Sequence, residues 1–224
     1  ISKKNNKNLD KVKSYGGMRS IEEKKNKVYL NNKPLYQRLV LDQGFYPDGI
    51  WTAPTDKALK NDIILSMKAG FNGARLHEKV FEDRFHYWAD KLGYLTWAEF
   101  PNWGLNENAK GSEISFMKEW PRIVNYLKNH PSIITWTPFN ETNTLECNSQ
   151  HKSLMRKAYN ITKKLDPTRP INETSGYQHQ KTDIWTVHHY EPIPEILNKA
   201  LNPKKGVYRN FPHFETSYKN QPYI

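Results

Sequence analysis

Buried-type strands alternate with amphipathic helices along most of this 224-residue chain. Short apolar runs at residues 39–41, 73–77, 94–98 and 132–138 have the length and β-branched or aromatic content of buried strands. The segments between them carry apolar residues at helical spacing and end at glycine or proline. Repeated strand–helix units of this kind predict a parallel sheet covered by helices.

Two parallel architectures fit that alternation, a doubly wound sheet and a (β/α)8 barrel. A doubly wound sheet usually carries a glycine-rich phosphate turn after its first strand, and none is present here. Polar and aromatic side chains instead follow nearly every strand, which favours a barrel. Residues 170–173 indicate a weak fifth strand, residues 183–190 a strong sixth, and residues 221–224 the start of a seventh. The prediction is an α/β fold, a TIM barrel that is incomplete at about six strands plus the start of a seventh.

The first 34 residues differ in composition from the rest. They are polar and rich in Lys and Asn, and residues 27–36 predict a hairpin with an Asn-centred turn. We expect residues 1–34 to be a lead-in segment and hairpin from a preceding domain, and residues 35–224 to be a partial TIM-barrel catalytic domain. The abrupt basic beginning indicates a piece of a longer protein, so further domains of the same polypeptide are expected partners.

The strand at residues 132–138 leads directly to an amide and a carboxylate. Pro138 cannot donate to a strand ladder, so the strand should end there and present Asn140 and Glu141 at its carboxyl end. In parallel barrels that end is where active sites are built. An acid beside an amide can serve as a proton donor next to a group that binds substrate. The alternative is that Glu141 only begins a solvated loop.

Charge and composition restrict the possible partners. The net charge is +11, which permits an anionic partner, but no nucleic-acid motif accompanies it and the lysines are spread over helix faces and the first 27 residues. No apolar run reaches the roughly 20 residues of a membrane helix. The single cysteine, Cys147, excludes an internal disulfide and leaves the redox compartment open. We therefore expect no nucleic-acid and no membrane partner, and the localisation stays open.

Several motifs together carry a family resemblance. The stretch from Pro131 to Glu141 resembles the acid/base motif of family 2 glycoside hydrolases, the group of β-galactosidases, β-glucuronidases and β-mannosidases. Residues 17–19 with 29–34, residues 71–77, 92–99 and 166–170 resemble successive barrel segments of that family, in the same order. The resemblance covers essentially the whole chain. It implies a carbohydrate substrate with a terminal β-linked sugar.

The resemblance implies a retaining hydrolysis by two carboxylates about 5–5.5 Å apart. Glu141 matches the general acid/base, whose pKa should be raised by burial and by the second carboxylate. Asn140 is expected to hold a sugar hydroxyl. The family nucleophile is a glutamate that would follow just beyond residue 224, and Glu215 is a poor substitute. The 224-residue chain alone is therefore expected to be inactive.

The other strand ends match the family less firmly. Arg75 corresponds to the arginine that orients the nucleophile, with a structural ion pair as the alternative. Tyr190 corresponds to the tyrosine whose hydroxyl tunes the nucleophile, with simple packing as the alternative. His77, and either His188 or His189, are candidates for sugar hydroxyl contacts.

Two further candidates lie farther from the motif. Asp42, at the end of the first strand, is expected to bind a distal hydroxyl. Trp103 is expected to stack on the sugar, with a role as a loop anchor as the alternative. Metal-dependent members of the family carry a histidine two residues after the third-strand glutamate, and here Glu99 is followed at that position by Pro101. No metal and no cofactor are therefore expected.

Two other function classes stay open. The chain could be a non-catalytic carbohydrate-binding module or a truncated barrel fragment, because only one of the two carboxylates is assigned. A nucleic-acid-binding module, suggested only by the charge of +11, is the third possibility. Hydrolysis of a chromogenic β-glycoside separates the first two classes, and salt-dependent DNA binding would favour the third.

Overall fold

The computed structural model describes residues 10–142, 149–212 and 215–224, and the backbone of two short strands before residue 9; Cys147 lies outside this part. The strands are β1 (Lys3–Lys4), β2 (Lys7–Asn8), β3 (Ile21–Lys24), β4 (Lys27–Leu30), β5 (Lys33–Pro34), β6 (Leu39–Asp42), β7 (Gly73–Leu76), β8 (Leu95–Glu99), β9 (Ile133–Thr137), β10 (Phe139–Asn140) and β11 (Thr174–Ser175). The helices are α1 (Asp56–Lys68), α2 (Asp83–Leu92), α3 (Ser112–Leu127), α4 (Ser149–Leu165), α5 (Pro194–Ala200) and a 3-10 turn at Pro203–Lys205.

The strands β6, β7, β8 and β9 form a parallel sheet in chain order. Beyond them, Trp136 bridges Ile171, β10 pairs with β11, and Trp185 bridges Tyr223, all in parallel. Parallel neighbours in chain order, with helices between them, are the arrangement of a TIM barrel. No ladder joins β6 to the Tyr223 segment among the described residues, so the barrel is open at this side.

Helix ends follow the local sequence. Thr55 caps α1 by accepting a hydrogen bond from the backbone N–H of Ala58, and Gly93 ends α2 in the left-handed conformation at φ 70°. The helix α3 continues past Pro121, which removes one backbone donor. Trp120 and Val124 on that helix are fully buried, so packing holds α3 together across the proline.

The predicted hairpin is present as part of a three-stranded antiparallel sheet. The turn between β4 and β5 consists of Asn31 and Asn32, both with positive φ, as a two-residue hairpin loop requires. Ile21 and Val28 of this sheet are buried against Trp97, Ile134 and Ile184. The hairpin therefore packs onto the barrel core. Its assignment to a preceding domain stays a prediction.

The fifth and sixth strands are less regular than predicted. The pairing at residues 170–175 is limited to the Ile171 bridge and β11. Residues 183–190 form no regular strand, but their backbone bonds to residues 222–224 through Trp185 and Val187. Side chains take hydrogen bonds that a ladder would otherwise make: Asn172 Nδ2 donates to the Ile184 carbonyl at 3.1 Å, and Thr186 Oγ1 accepts from the Gly176 N–H at 2.8 Å. The sequence predicts an extended backbone here, but it does not show whether side chains or a main-chain ladder form its hydrogen bonds. Among the described residues, no helix is long and apolar enough to cross a membrane.

Candidate active site

Glu141 immediately follows β10 at the carboxyl end of the strands. Its backbone N–H donates to the Ser175 carbonyl at 3.0 Å, and its φ is 42°, an uncommon value for a residue other than glycine. Its side chain is only 13% exposed. Such strained conformations cost of order 1–3 kcal/mol and persist only where the surrounding structure imposes them. The backbone therefore holds this carboxylate in one defined place.

Two donors converge on the Glu141 carboxylate. Oε1 accepts from Nδ1 of His188 at 2.5 Å and from the Tyr190 hydroxyl. Burial raises the pKa of Glu141, but the hydrogen bonds from Tyr190 and His188 outweigh it, and the net pKa lies below the ordinary value. The expected raised pKa of this acid is therefore wrong for the chain as described, because both neighbours donate to the ionised form.

His188 is positioned by its own contacts. Its Nε2 lies 3.1 Å from Ser175 Oγ, so with Nδ1–H donated to Glu141 the neutral ring accepts from the serine hydroxyl. Burial lowers the pKa of His188, which favours that neutral form. A Cβ on Gly176, whose φ is 71°, would lie 2.7 Å from the ring. Glycine is needed there, and of the two candidate histidines it is His188 that contacts Glu141, while His189 packs on Tyr208.

A second group centres on Arg75 at the end of β7. One guanidinium nitrogen, Nη1, donates to Glu99 Oε2 at 2.9 Å and to Asn140 Oδ1 at 3.1 Å. Asn140 is fully buried, and its Nδ2 has no hydrogen-bond partner among the described residues. The contact with Arg75 orients the amide so that its oxygen faces the guanidinium, and its buried N–H groups have no partner among the described residues.

Glu99, at the end of β8, is the carboxylate whose importance the sequence did not reveal. Its side chain is fully buried, and burial raises its pKa to about 8, although Arg75 and the backbone N–H of Glu78 partly offset this. A buried carboxyl in a site of this kind is a functional candidate on physical grounds. Its position at a strand end is the one sequence signal that could have identified it.

Glu78 and Trp103 form the wall beside this group. Glu78 Oε2 accepts from the Trp103 backbone N–H at 2.9 Å, and Glu78 has a strained φ of 54°. Burial raises the pKa of Glu78 to about 7. Trp103 is 59% exposed, and the centre of its ring lies 5.4 Å from that of His77 in an edge-to-face contact. Burial and Arg75 lower the pKa of His77 to about 4, so this ring is neutral.

Three of these side chains could hold a metal ion. His77, Glu78 and Glu99 each place one ligand atom within 4.8 Å of the others, and His77 Nδ1 and Glu78 Oε1 lack hydrogen-bond partners among the described residues. Nitrogen and carboxylate donors would suit zinc or manganese. However, Arg75 already places a positive charge on Glu99, and Pro101 offers no ligand. We keep the absence of a metal as a prediction.

Asp42 is not brought to this site. Leu41 pairs with Arg75 while Asp42 pairs with Leu76, and alternate residues of a strand face opposite sides. Asp42 therefore faces the helix layer with Leu76, which packs among the α1 and α2 side chains. Its Oδ1 accepts from the Gly44 N–H at 2.8 Å, and burial raises its pKa. The proposed contact of Asp42 with a sugar hydroxyl has no support in this geometry.

A cleft of about 280 Å³ lies at the centre of the open barrel. Arg75, Ser175 and His188 line it together with Trp97 from the barrel interior. Six of the eight predicted site residues lie in one region, because each is linked to another of the six by a hydrogen bond or by an electrostatic interaction. They are Glu141, Asn140, Arg75, His77, His188 and Tyr190. Trp103 belongs to the same group through its ring contact with His77, whereas Asp42 lies outside the group.

Comparison with known proteins agrees with this geometry. Residues 21–223 match the sequence model of glycosyl hydrolases family 2, TIM barrel domain. The chain belongs to glycosyl hydrolase family 2. The family model thus covers all the strands and helices that build the site, from β3 to the Tyr223 bridge.

Individual relatives are similar over part of their length. A β-galactosidase of Photobacterium profundum is 30% identical over 177 residues, which are 75% of this chain and 16% of that protein. A β-galactosidase of Kluyveromyces lactis is 25% identical over 222 residues, 85% of this chain and 21% of that protein. The chain therefore spans about a fifth or less of the length of these relatives.

Solved structures show the same fold. A β-D-glucuronidase of Dictyoglomus thermophilum superposes with a TM-score of 0.74 at 18% identity, over 93% of this chain and 39% of that one. A β-glucuronidase of Parabacteroides merdae superposes with a TM-score of 0.72 at 19% identity, over 88% of this chain and 26% of that one. The TIM-barrel prediction is confirmed.

Proposed function

We propose that this chain provides the acid/base half of a retaining β-glycosidase that acts on terminal β-linked sugars, β-galactosides first among them. The observation that carries the proposal is the placement of Glu141, a half-buried carboxylate held by His188 and Tyr190 next to the Arg75–Asn140 pair. The curated relatives named above as β-galactosidases supply the choice of sugar.

In the proposed reaction, Glu141 gives a proton to the glycosidic oxygen as the leaving group departs, and later takes one from water. Within the described residues, the hydrogen bonds from Tyr190 and His188 outweigh burial and hold the pKa of Glu141 below its ordinary value. A second carboxylate close by would raise that pKa, because two like charges disfavour ionising both groups. Asn140 Nδ2, which lacks a partner among the described residues, would donate to a sugar hydroxyl.

The second carboxylate, the nucleophile, is proposed to come from sequence outside these 224 residues. Glu99 and Glu215 are the next candidates within the chain, but Glu99 is bound to Arg75 and Glu215 is bound to Arg209. Other domains of the same polypeptide are proposed to complete the site, in keeping with the share of the relatives that this chain covers. We propose carbohydrate as the partner, and neither nucleic acid nor membrane.

The test is hydrolysis of aryl β-galactoside, β-glucuronide and β-mannoside by the full-length gene product, with the anomeric form of the first product followed by NMR. Turnover of one sugar with retention is expected, together with its loss in Glu141→Gln. Glu119→Gln, an exposed carboxylate on α3, is the matched control and should keep activity.

Two outcomes would contradict the proposal. Inversion at the anomeric carbon would exclude the double displacement. Sugar binding without turnover would support the non-catalytic carbohydrate-binding alternative. The 224-residue chain, assayed in parallel, is expected to be inactive. Equal Glu141-dependent turnover by both proteins would mean that the nucleophile lies within the chain, with Glu99 and Glu215 as the next candidates.

A further inference from the structure

The backbone hydrogen bonds between the β8 strand and its neighbour β9 end at Thr137, three residues before Asn140. The backbone N–H of Phe100 donates to the Thr137 carbonyl at 3.1 Å, continuing the pairing of β8 with β9. Beyond it, no further backbone hydrogen bond joins these two strands among the described residues. The Asn140 N–H therefore has no main-chain acceptor on this side among the described residues.

The Asn102 side chain forms the missing bonds. Its Oδ1 accepts from the Asn140 backbone N–H at 2.7 Å, and its Nδ2 lies 3.4 Å from the Asn140 carbonyl oxygen, to which it donates. A carboxamide has the same donor and acceptor as a peptide group. Asn102 is only 2% exposed and Asn140 is fully buried, so water does not compete for these bonds.

A third contact fixes which way the Asn102 amide points. Nδ2 donates to Glu107 Oε1 at 3.0 Å, so the oxygen must face the Asn140 N–H. The carbonyls of Glu107 and Ala109 in turn accept from the Gln150 Nε2 group, at 3.2 and 2.5 Å. The loop that carries Asn102 is thus tied to α4, and the amide cannot rotate without losing two partners.

On its other side, the catalytic dipeptide is held by main chain alone. Asn140 pairs with Ser175, and the Glu141 N–H donates to the Ser175 carbonyl at 3.0 Å. Between these two supports Glu141 adopts its strained φ of 42°. Removal of one support would let the backbone relax and displace the Glu141 carboxyl group.

We infer that Asn102 is a positioning residue for Glu141. It takes the place of the main-chain partner that Asn140 lacks on this side, and it fixes the backbone that carries the proton donor. The inference rests on the proposed role of Glu141 as acid/base. Because Asn102 acts through Glu141 only, its loss should damage proton donation and leave other steps nearly intact.

The test compares Asn102→Leu, similar in volume but without polar atoms, with the wild-type full-length protein on dinitrophenyl and phenyl β-glycosides of its preferred sugar. Misplacement of a proton donor lowers the rate by up to about 100-fold, and proton donation matters only when the leaving oxygen is basic. We expect kcat/KM on the phenyl glycoside to fall about 10- to 100-fold and on the dinitrophenyl glycoside less than about threefold. Asn106→Leu, in the same loop but exposed, should change neither.

A compensating pair provides the conservative rescue. Asn102→Asp alone keeps the acceptor for the Asn140 N–H, but it places a second carboxylate against that of Glu107, and the two repel each other. Combining it with Glu107→Gln restores an acceptor–donor pair, and it should recover most of the phenyl glycoside activity. Thermal melts show whether each variant is folded.

The outcomes separate the two hypotheses. Equal losses on both glycosides in a folded Asn102→Leu protein would mean that Asn102 is merely structural and would overturn the inference. No turnover of any β-glycoside by the wild-type protein would instead overturn the proposed function.

Discussion

The ends of β8 and β10 present two glutamates under opposite conditions. Glu99 is fully buried and meets one guanidinium nitrogen and one backbone N–H, and burial raises its pKa to about 8. Glu141 is partly accessible and accepts from a phenol and an imidazole, which lower its pKa. β8 belongs to the four-stranded parallel sheet, and β10 pairs with β11 in a separate two-stranded one. Environment alone, therefore, can assign different protonation states to the same side chain at neighbouring strand ends.

The two regions also differ in how the backbone is held. Four strands from β6 to β9 pair by main-chain ladders, and Glu99 ends one of them. Around Glu141 the support comes from short pairings and from the side chains of Asn102, Asn172 and Thr186. Side-chain support can be removed by single substitutions, whereas a ladder cannot. We therefore expect the region around Glu141 to be the more sensitive of the two to mutation.

The largest effect on activity is expected from substitution of Glu141. Glu141→Gln in the full-length protein should lower kcat/KM on phenyl β-glycosides by about 10²–10⁴-fold, because the amide cannot donate the proton. Dinitrophenyl glycosides should be affected far less. Steady-state kinetics on both substrates measures the ratio. Equal losses would remove Glu141 from the acid/base role.

Glu99→Gln tests the raised pKa of Glu99 through the pH dependence of the free energy of unfolding. The unfolded pKa of Glu99 is 4.5 and the folded pKa about 8, so folding favours the protonated form and wild-type stability falls as pH rises through this window. The contribution is about 1.4 kcal/mol per pH unit between the two pKa values. Glu99→Gln should flatten that fall, measured by urea unfolding at several pH values. An unchanged slope would mean that Arg75 keeps Glu99 ionised.

Tyr190→Phe should reduce the difference in pKa between Glu141 and Glu99. Loss of the phenol donor removes an interaction that lowers the Glu141 pKa, so this pKa should rise. The basic limb of the kcat/KM profile, which reports a proton donor, should move to higher pH by about one unit or less. Tyr126→Phe, an exposed tyrosine on α3, is the control. A shift toward lower pH would contradict the assigned contact.

The smallest effect is expected from metal removal. With Arg75 on Glu99 and Pro101 in place of a histidine ligand, a chelator should leave turnover by the full-length protein unchanged. Incubation with EDTA, followed by dialysis and assay, measures this. A loss that magnesium, manganese or zinc restores would instead show that His77, Glu78 and Glu99 bind the ion, and Glu78→Gln should then abolish the restoration.

Local chemistry determined a large part of the fold and the place of Glu141. The strand–helix alternation predicted the parallel barrel, Thr55 and Gly93 mark helix ends, and Asn31 and Asn32 make the hairpin turn. Pro138 ends the strand β9, so that Asn140 and Glu141 follow at the carboxyl end. All of these depend on residues close together in the chain, whose backbone preferences act wherever the segment lies.

The remaining properties of the site depend on residues far apart in the chain. Asp42 faces the helices because β6 pairs with β7 in one register rather than the next, and no local pattern sets that register. The pKa of Glu141 depends on His188 and Tyr190, 47 and 49 residues away. Asn102 meets Asn140 across 38 residues. Burial and hydrogen-bond partners arise only when the chain folds, so tertiary structure alone decided the pKa and the position of the Glu141 carboxyl group.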